Sequence, residues 1–192
     1  MNEKMFATFQ LYCTGMIFIL IWGLLLWTHY HGGVPSHHIL ADKDLPEISN
    51  WWGGLLLPLL SCFLLYRMKK RIMINKDQKL QKINIPVDII YAFLSALIYG
   101  ILLSIFFTLG YPDISGYIFI GIFVLALFFP IYRSECILGF VIGMTFTFGV
   151  VLPIVVGSML ALIGVFLYLC IRPLTLYVVS RFLFFRVSNR QK

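Results

Sequence analysis

The chain has 192 residues, 60% of them hydrophobic and only 12% charged, with a formal net charge of +7 and a mean hydropathy of +0.92. A water-soluble domain carries about a quarter charged residues. Here the apolar surplus falls in long uncharged runs near the roughly 20 residues that cross a bilayer. The composition excludes a soluble fold with a second domain of its own and predicts an all-α, polytopic membrane helix bundle with about six transmembrane helices.

The first span is predicted over about 9–28. Its head, Met1-Asn2-Glu3-Lys4, is barely basic, and no small-x-small pattern follows Leu26, so it reads as a retained span rather than a signal peptide. The loop 29–50 comes next and holds every histidine of the chain: His29, His31, His37 and His38. Gly32, Gly33 and Pro35 between them favour a chain reversal, and Asp42, Asp44 and Glu47 follow. Imidazoles beside carboxylates suit zinc or another divalent transition metal. The candidate ligands are His29, His31, His37, His38, Asp42 and Glu47. The spacing contains neither an H-E-x-x-H pair nor a Cys/His finger. The competing reading makes the histidines polar interface residues among Trp27, Tyr30, Trp51 and Trp52. Asp44 and Asn50 are read as helix caps. A Ser36, His37, His38 and Asp42 triad is disfavoured, because such triads are assembled by geometry rather than adjacency.

Span two is predicted over about 51–66, followed by a basic connector, 67–86. Arg67, Lys69, Lys70, Arg71, Lys76, Lys79 and Lys82 stand there against Asp77 and Asp88. Arg67, Lys69, Lys70 and Arg71, with Arg133, are candidates for lipid-headgroup contact or topology signalling. Span three covers about 87–109, a tight turn 110–113, and span four about 116–132. Residues 136–171 as one helix would reach about 54 Å, too long for a ~30 Å hydrocarbon core. A break between Pro153 and Gly157 is therefore predicted, giving spans 137–153 and 156–171. Arg133-Ser134-Glu135 forms the turn before them, with a local ion pair expected. Gly139 and Gly143 make a small-xxx-small face for helix packing. The basic tail, 172–192, completes a single transmembrane domain, 1–192.

Lysine and arginine near span ends stay cytoplasmic. The connector, Arg133 and the tail are then inside with both termini, and the histidine loop is outside. The location expected is the cell membrane, plasma or bacterial inner. The spans carry no ionisable residue at their centres, which argues against a carrier with a buried carboxylate. Cys13, Cys62, Cys136 and Cys170 lie near the inner boundary and read as small buried hydrophobes. No second set of histidines exists for a haem, and no folded basic module for nucleic acid.

Three functional readings follow. The leading one is metal handling, or metal-dependent chemistry at the outer leaflet, through the outer loop. The others are a transporter or channel without buried charges, and a non-catalytic assembly subunit. The expected partners are membrane lipids, anionic on the cytoplasmic side, and a second copy or another membrane protein.

Overall fold

The computed structural model describes residues 3–33, 36–38, 47–77, 87–175 and 177. Six helices carry the fold: α1 (Glu3–Tyr30), α2 (Gly53–Asp77), α3 (Val87–Thr108), α4 (Pro112–Phe128), α5 (Ser134–Phe148) and α6 (Val151–Phe166). A two-stranded antiparallel ribbon, β1 (Ser36–His38) with β2 (Glu47–Ser49), lies between α1 and α2. A 3-10 turn, Asn50–Trp52, leads into α2, and a π-helical turn, Leu167–Ile171, extends α6.

The helix ends have local chemical causes. At the end of α1, Gly32 and Gly33 take positive φ, and the Gly33 amide donates to the Thr28 carbonyl at 3.0 Å. That is the glycine-dependent cap that satisfies orphan carbonyls. At the end of α3, Gly110 has φ 81°, and the Tyr111 amide donates to Phe106 O. Pro112 then opens α4, where its missing N–H costs nothing.

Residues 134–175 form two helices, as the length argument requires, but the break is not at Pro153. It falls at Gly149, whose φ is 71°. Pro153 sits in the first turn of α6, a position that tolerates proline. Four helices are long and apolar enough to cross a membrane: Phe6–Tyr30, Asn50–Met73, Val87–Thr108 and Val151–Thr175. Pro112–Phe128 and Ser134–Phe148 are apolar but shorter.

Contacts between side chains fix the directions. Phe6 packs with Leu65 and Met68, and Leu25 reaches Gly54, so α1 and α2 are antiparallel. Ser115 of α4 donates to Leu103 O at 3.2 Å, and the Tyr99 hydroxyl donates to Ile118 O, so α3 and α4 are antiparallel. Gly157 lies on Val141, and Gly164 on Ile131, so α6 returns along α5. Helices α3 and α5 run parallel and make the most extensive helix contact among the described residues.

That contact depends on glycine. A methyl group at Gly139 would collide with the Phe93 carbonyl; one at Gly143 would stand 2.5 Å from Leu97 O; one at Gly100 would stand 2.8 Å from Phe140 O. The two backbones meet with no side chain between them, the arrangement that small residues permit in membranes. Helix α5 contributes to all three core clusters and is the buried centre of the bundle. The outward faces of the other helices are apolar, with Leu11, Tyr12, Tyr117 and Leu162 all exposed.

Gly143→Leu is expected to separate α3 from α5 and destabilise the protein by about 3 kcal/mol or more, an overpacking cost. Gly116→Ala, at a site with no neighbouring atom within 4 Å, should change stability by less than about 0.5 kcal/mol. Thermal unfolding of both variants in detergent measures the contrast.

Candidate functional site

Because α3 and α5 are parallel, both begin at the same end of the bundle. This end also holds the second half of α2 and the extension of α6, and with them Arg67, Lys69, Lys70, Arg71, Arg133 and Arg172. Two features are built there.

The first is an ion pair. Arg71 Nη2 donates to Glu135 Oε1 at 2.7 Å, and the Glu135 side chain is 0% exposed while that of Arg71 is 34% exposed. It is the one ion pair among the described residues. The local pair expected within Arg133-Ser134-Glu135 does not form, since Glu135 is held by a residue 64 positions earlier. Helical geometry explains the choice: Arg67 and Lys70 face outward and are exposed, whereas Arg71 is half-buried and turns towards α5. Glu135 stands in the first turn of α5, where the helix dipole favours a carboxylate. Its Oε2 has no hydrogen-bond partner.

The second is a cleft of about 810 Å³ between α3, α4, α5 and α6. Pockets that hold drug-sized molecules span roughly 300–1,000 Å³. Leu94, Ile98, Ile122, Leu125, Phe140 and Leu160 supply much of the wall. Two of the hydroxyls along it are already engaged. Ser95 Oγ donates to Ala92 O at 3.1 Å, and Tyr99 donates to Ile118 O. Two formal charges line the cleft, Asp88 in the first turn of α3 and Arg133 directly before α5. Both are exposed, and neither is paired with the other or with another described charge.

The opposite end carries the histidines. His31 stacks on Trp27 with ring centroids 3.9 Å apart, and its Nδ1 lies 3.0 Å from Trp27 O. His29 sits edge-on to Tyr30 and to Trp51, at 5.4 and 5.8 Å. The ribbon register sets His38 opposite Glu47 and His37 opposite Ile48. Asp42 lies outside the described residues. Among the described residues no group of three or more His, Cys, Asp or Glu is arranged to hold a metal.

The run Asn50-Trp51-Trp52-Gly53-Gly54 also finds its structural reason at this end. Asn50 is buried against Gly149, where any Cβ would collide with its amide. A methyl group at Gly53 would stand 2.6 Å from Val150 Cβ. The start of α2 is thus keyed into the α5–α6 turn. Comparison of the chain with protein-family models, curated proteins and solved structures found no match.

Two functional groupings were not readable from spacing alone. The cleft draws on four helices, and Arg71 and Glu135 are far apart in the chain. A sequence signal existed for the second: Glu135 is one carboxylate in an otherwise basic inner turn. Arg71→Met is expected to destabilise the protein by about 3 kcal/mol, because it leaves a buried carboxylate unpaired. The double variant Arg71→Met/Glu135→Leu should recover most of that loss. Equal destabilisation in the single and double variants would show that the pair is not coupled.

Proposed function

We propose that the protein is a six-span membrane protein, both ends of the chain cytoplasmic, that takes an amphiphile from the bilayer into the cleft between α3, α4, α5 and α6. The observation that carries this reading is the cleft itself: largely apolar walls, ending at two charges that pair with no other described residue. Hydrocarbon suits such a wall, and a charged headgroup suits such an end. No nucleophile–base pair accompanies it among the described residues, so the reading is binding and handling of lipid rather than covalent chemistry.

The six-span count is supported by direction. Helix follows helix in alternating sense through one common layer, and the basic residues gather at one end of it. Lysine and arginine at that end favour the cytoplasmic side for it. Helices α4 and α5, 17 and 15 residues long, reach about 26 and 22 Å. The brevity of α5 is accommodated because protein surrounds it.

Ala161 and Ala92 line the cleft and offer space for a larger side chain. Ala161→Phe is expected to lower the phospholipid that co-purifies with the protein severalfold, measured by native mass spectrometry, with folding checked by thermal unfolding. Unchanged lipid content in a folded Ala161→Phe protein would remove the cleft as the binding site.

A second reading, a divalent-metal site in the outer loop, rests on the register that sets His38 opposite Glu47. Elemental mass spectrometry of the wild type and of His38→Ala tests it. Near-stoichiometric zinc or another transition metal, lost in the variant, is the expected result of that reading. Absence of metal from the wild type after incubation with excess zinc defeats it.

A further inference from the structure

We propose that the cleft selects a phospholipid whose headgroup carries both a phosphate and a primary ammonium, with the phosphate on Arg133 and the ammonium on Asp88. The proposal rests on the reading of the cleft as a lipid site and adds the identity of the headgroup.

Three observations lead there. First, the two charges belong to the same opening. They precede or begin two parallel helices, α3 and α5, which the glycine contact holds side by side. Second, they are not spent on each other. Arg71–Glu135 is the one ion pair among the described residues, so Asp88 and Arg133 line the cleft with opposite charges and no counter-charge from another described residue. A headgroup with phosphate alone would satisfy Arg133 but bring its anion near Asp88, and like charges repel. A headgroup carrying both signs satisfies both. Arg133 is exposed directly before α5, and guanidinium is the side chain best shaped for phosphate.

Third, the depth fits one leaflet. The cleft follows α3 from Asp88 to Tyr99, eleven residues, or about 16 Å at the helical rise. That is close to half of a ~30 Å hydrocarbon core. An acyl chain lying there would have its headgroup at the basic end, which places the lipid in the inner leaflet. The choice of primary ammonium over a quaternary one follows from the carboxylate. Three N–H donors can bond Asp88 directly, whereas quaternary ammonium is held by cages of aromatic rings, and the cleft residues nearest Asp88 and Arg133 in sequence offer two aromatic rings, Tyr91 and Phe129, rather than a cage.

The test is competition on the full-length chain in detergent, read by native mass spectrometry. The probes are phosphatidylethanolamine, phosphatidylglycerol and phosphatidylcholine of matched acyl chains. The expected result is retention of phosphatidylethanolamine over the other two by about tenfold, the effect of one charge-assisted contact. Asp88→Asn should erase the advantage over phosphatidylglycerol, and Arg133→Gln should weaken all three. Both side chains are exposed, and thermal unfolding verifies that the variants fold. Equal retention of the three lipids, or a preference untouched by Asp88→Asn, overturns the headgroup assignment while leaving the cleft as a lipid site if Ala161→Phe still displaces lipid. Lipid binding that Ala161→Phe leaves unchanged removes the cleft, and the headgroup assignment with it.

Discussion

The rest of the molecule depends on the approach of two peptide backbones. In a bilayer, burying one apolar helix face against another gains little over burying it in lipid, so association relies on close packing. Gly139 and Gly143 give α5 a face without side chains, and α3 answers with Ala96 and Gly100. With α3 seated there, α4 can only return on its outer side, and α6 must lie against the other flank of α5. The space these four helices leave between them is the cleft. The same contact sets the N-terminal ends of α3 and α5 together, so Asp88 and Arg133 share one opening. A packing feature thus determines where charge is presented.

The pair Arg71–Glu135 complements that contact from the other side. The glycine face ties α5 to α3, whereas the ion pair ties α5 to α2, which is otherwise bound mainly to α1. Burying Glu135 is costly, and the pair is weak as a source of net stability. Its contribution is directional. It fixes the rotation of α2 so that Arg67 and Lys70 face outward and Arg71 turns towards α5. It also removes Glu135 from competition for Arg133, which pairs with no other described carboxylate.

Much of this architecture was legible in the sequence, and the reasons differ by element. The long apolar helices follow from local composition, since each hydrophobic run is its own signal. The small-xxx-small face was visible as a pattern, but its partner was not: Ala96 and Gly100 become meaningful only once α3 is known to be parallel to α5. The break before α6 was expected from length and was assigned to Pro153. Proline interrupts a helix interior but is tolerated in a first turn, and the residue that stops α5 is Gly149, through its positive φ. That glycine is in turn required by Asn50, from a distant part of the chain. The histidines illustrate the converse. Their clustering reads as a ligand pattern; the structure adds that His31 stacks on Trp27 one turn earlier in α1, while His29 meets Tyr30 and, from the turn before α2, Trp51. Pairings across the chain, Arg71 with Glu135 and Asn50 with Gly149, have no periodicity to announce them.

The unequal helix lengths have a consequence for the surrounding membrane. The short α4 is peripheral, with an exposed face that includes Tyr117, Ile120, Val124 and Phe128, while α1 on the far side of the bundle is 28 residues long. In a bilayer, lipids beside α4 would meet a hydrophobic wall lower than the one beside α1. A bilayer adapts to such mismatch by thinning locally or by tilting the helix, at a cost of fractions of a kcal/mol per Å. If α4 spans as proposed, the surrounding lipid would form an asymmetric collar, thinnest along the helix that also forms one wall of the cleft. Under the six-span proposal, the protein's distribution between membranes of different thickness would follow the short, outward-facing α4.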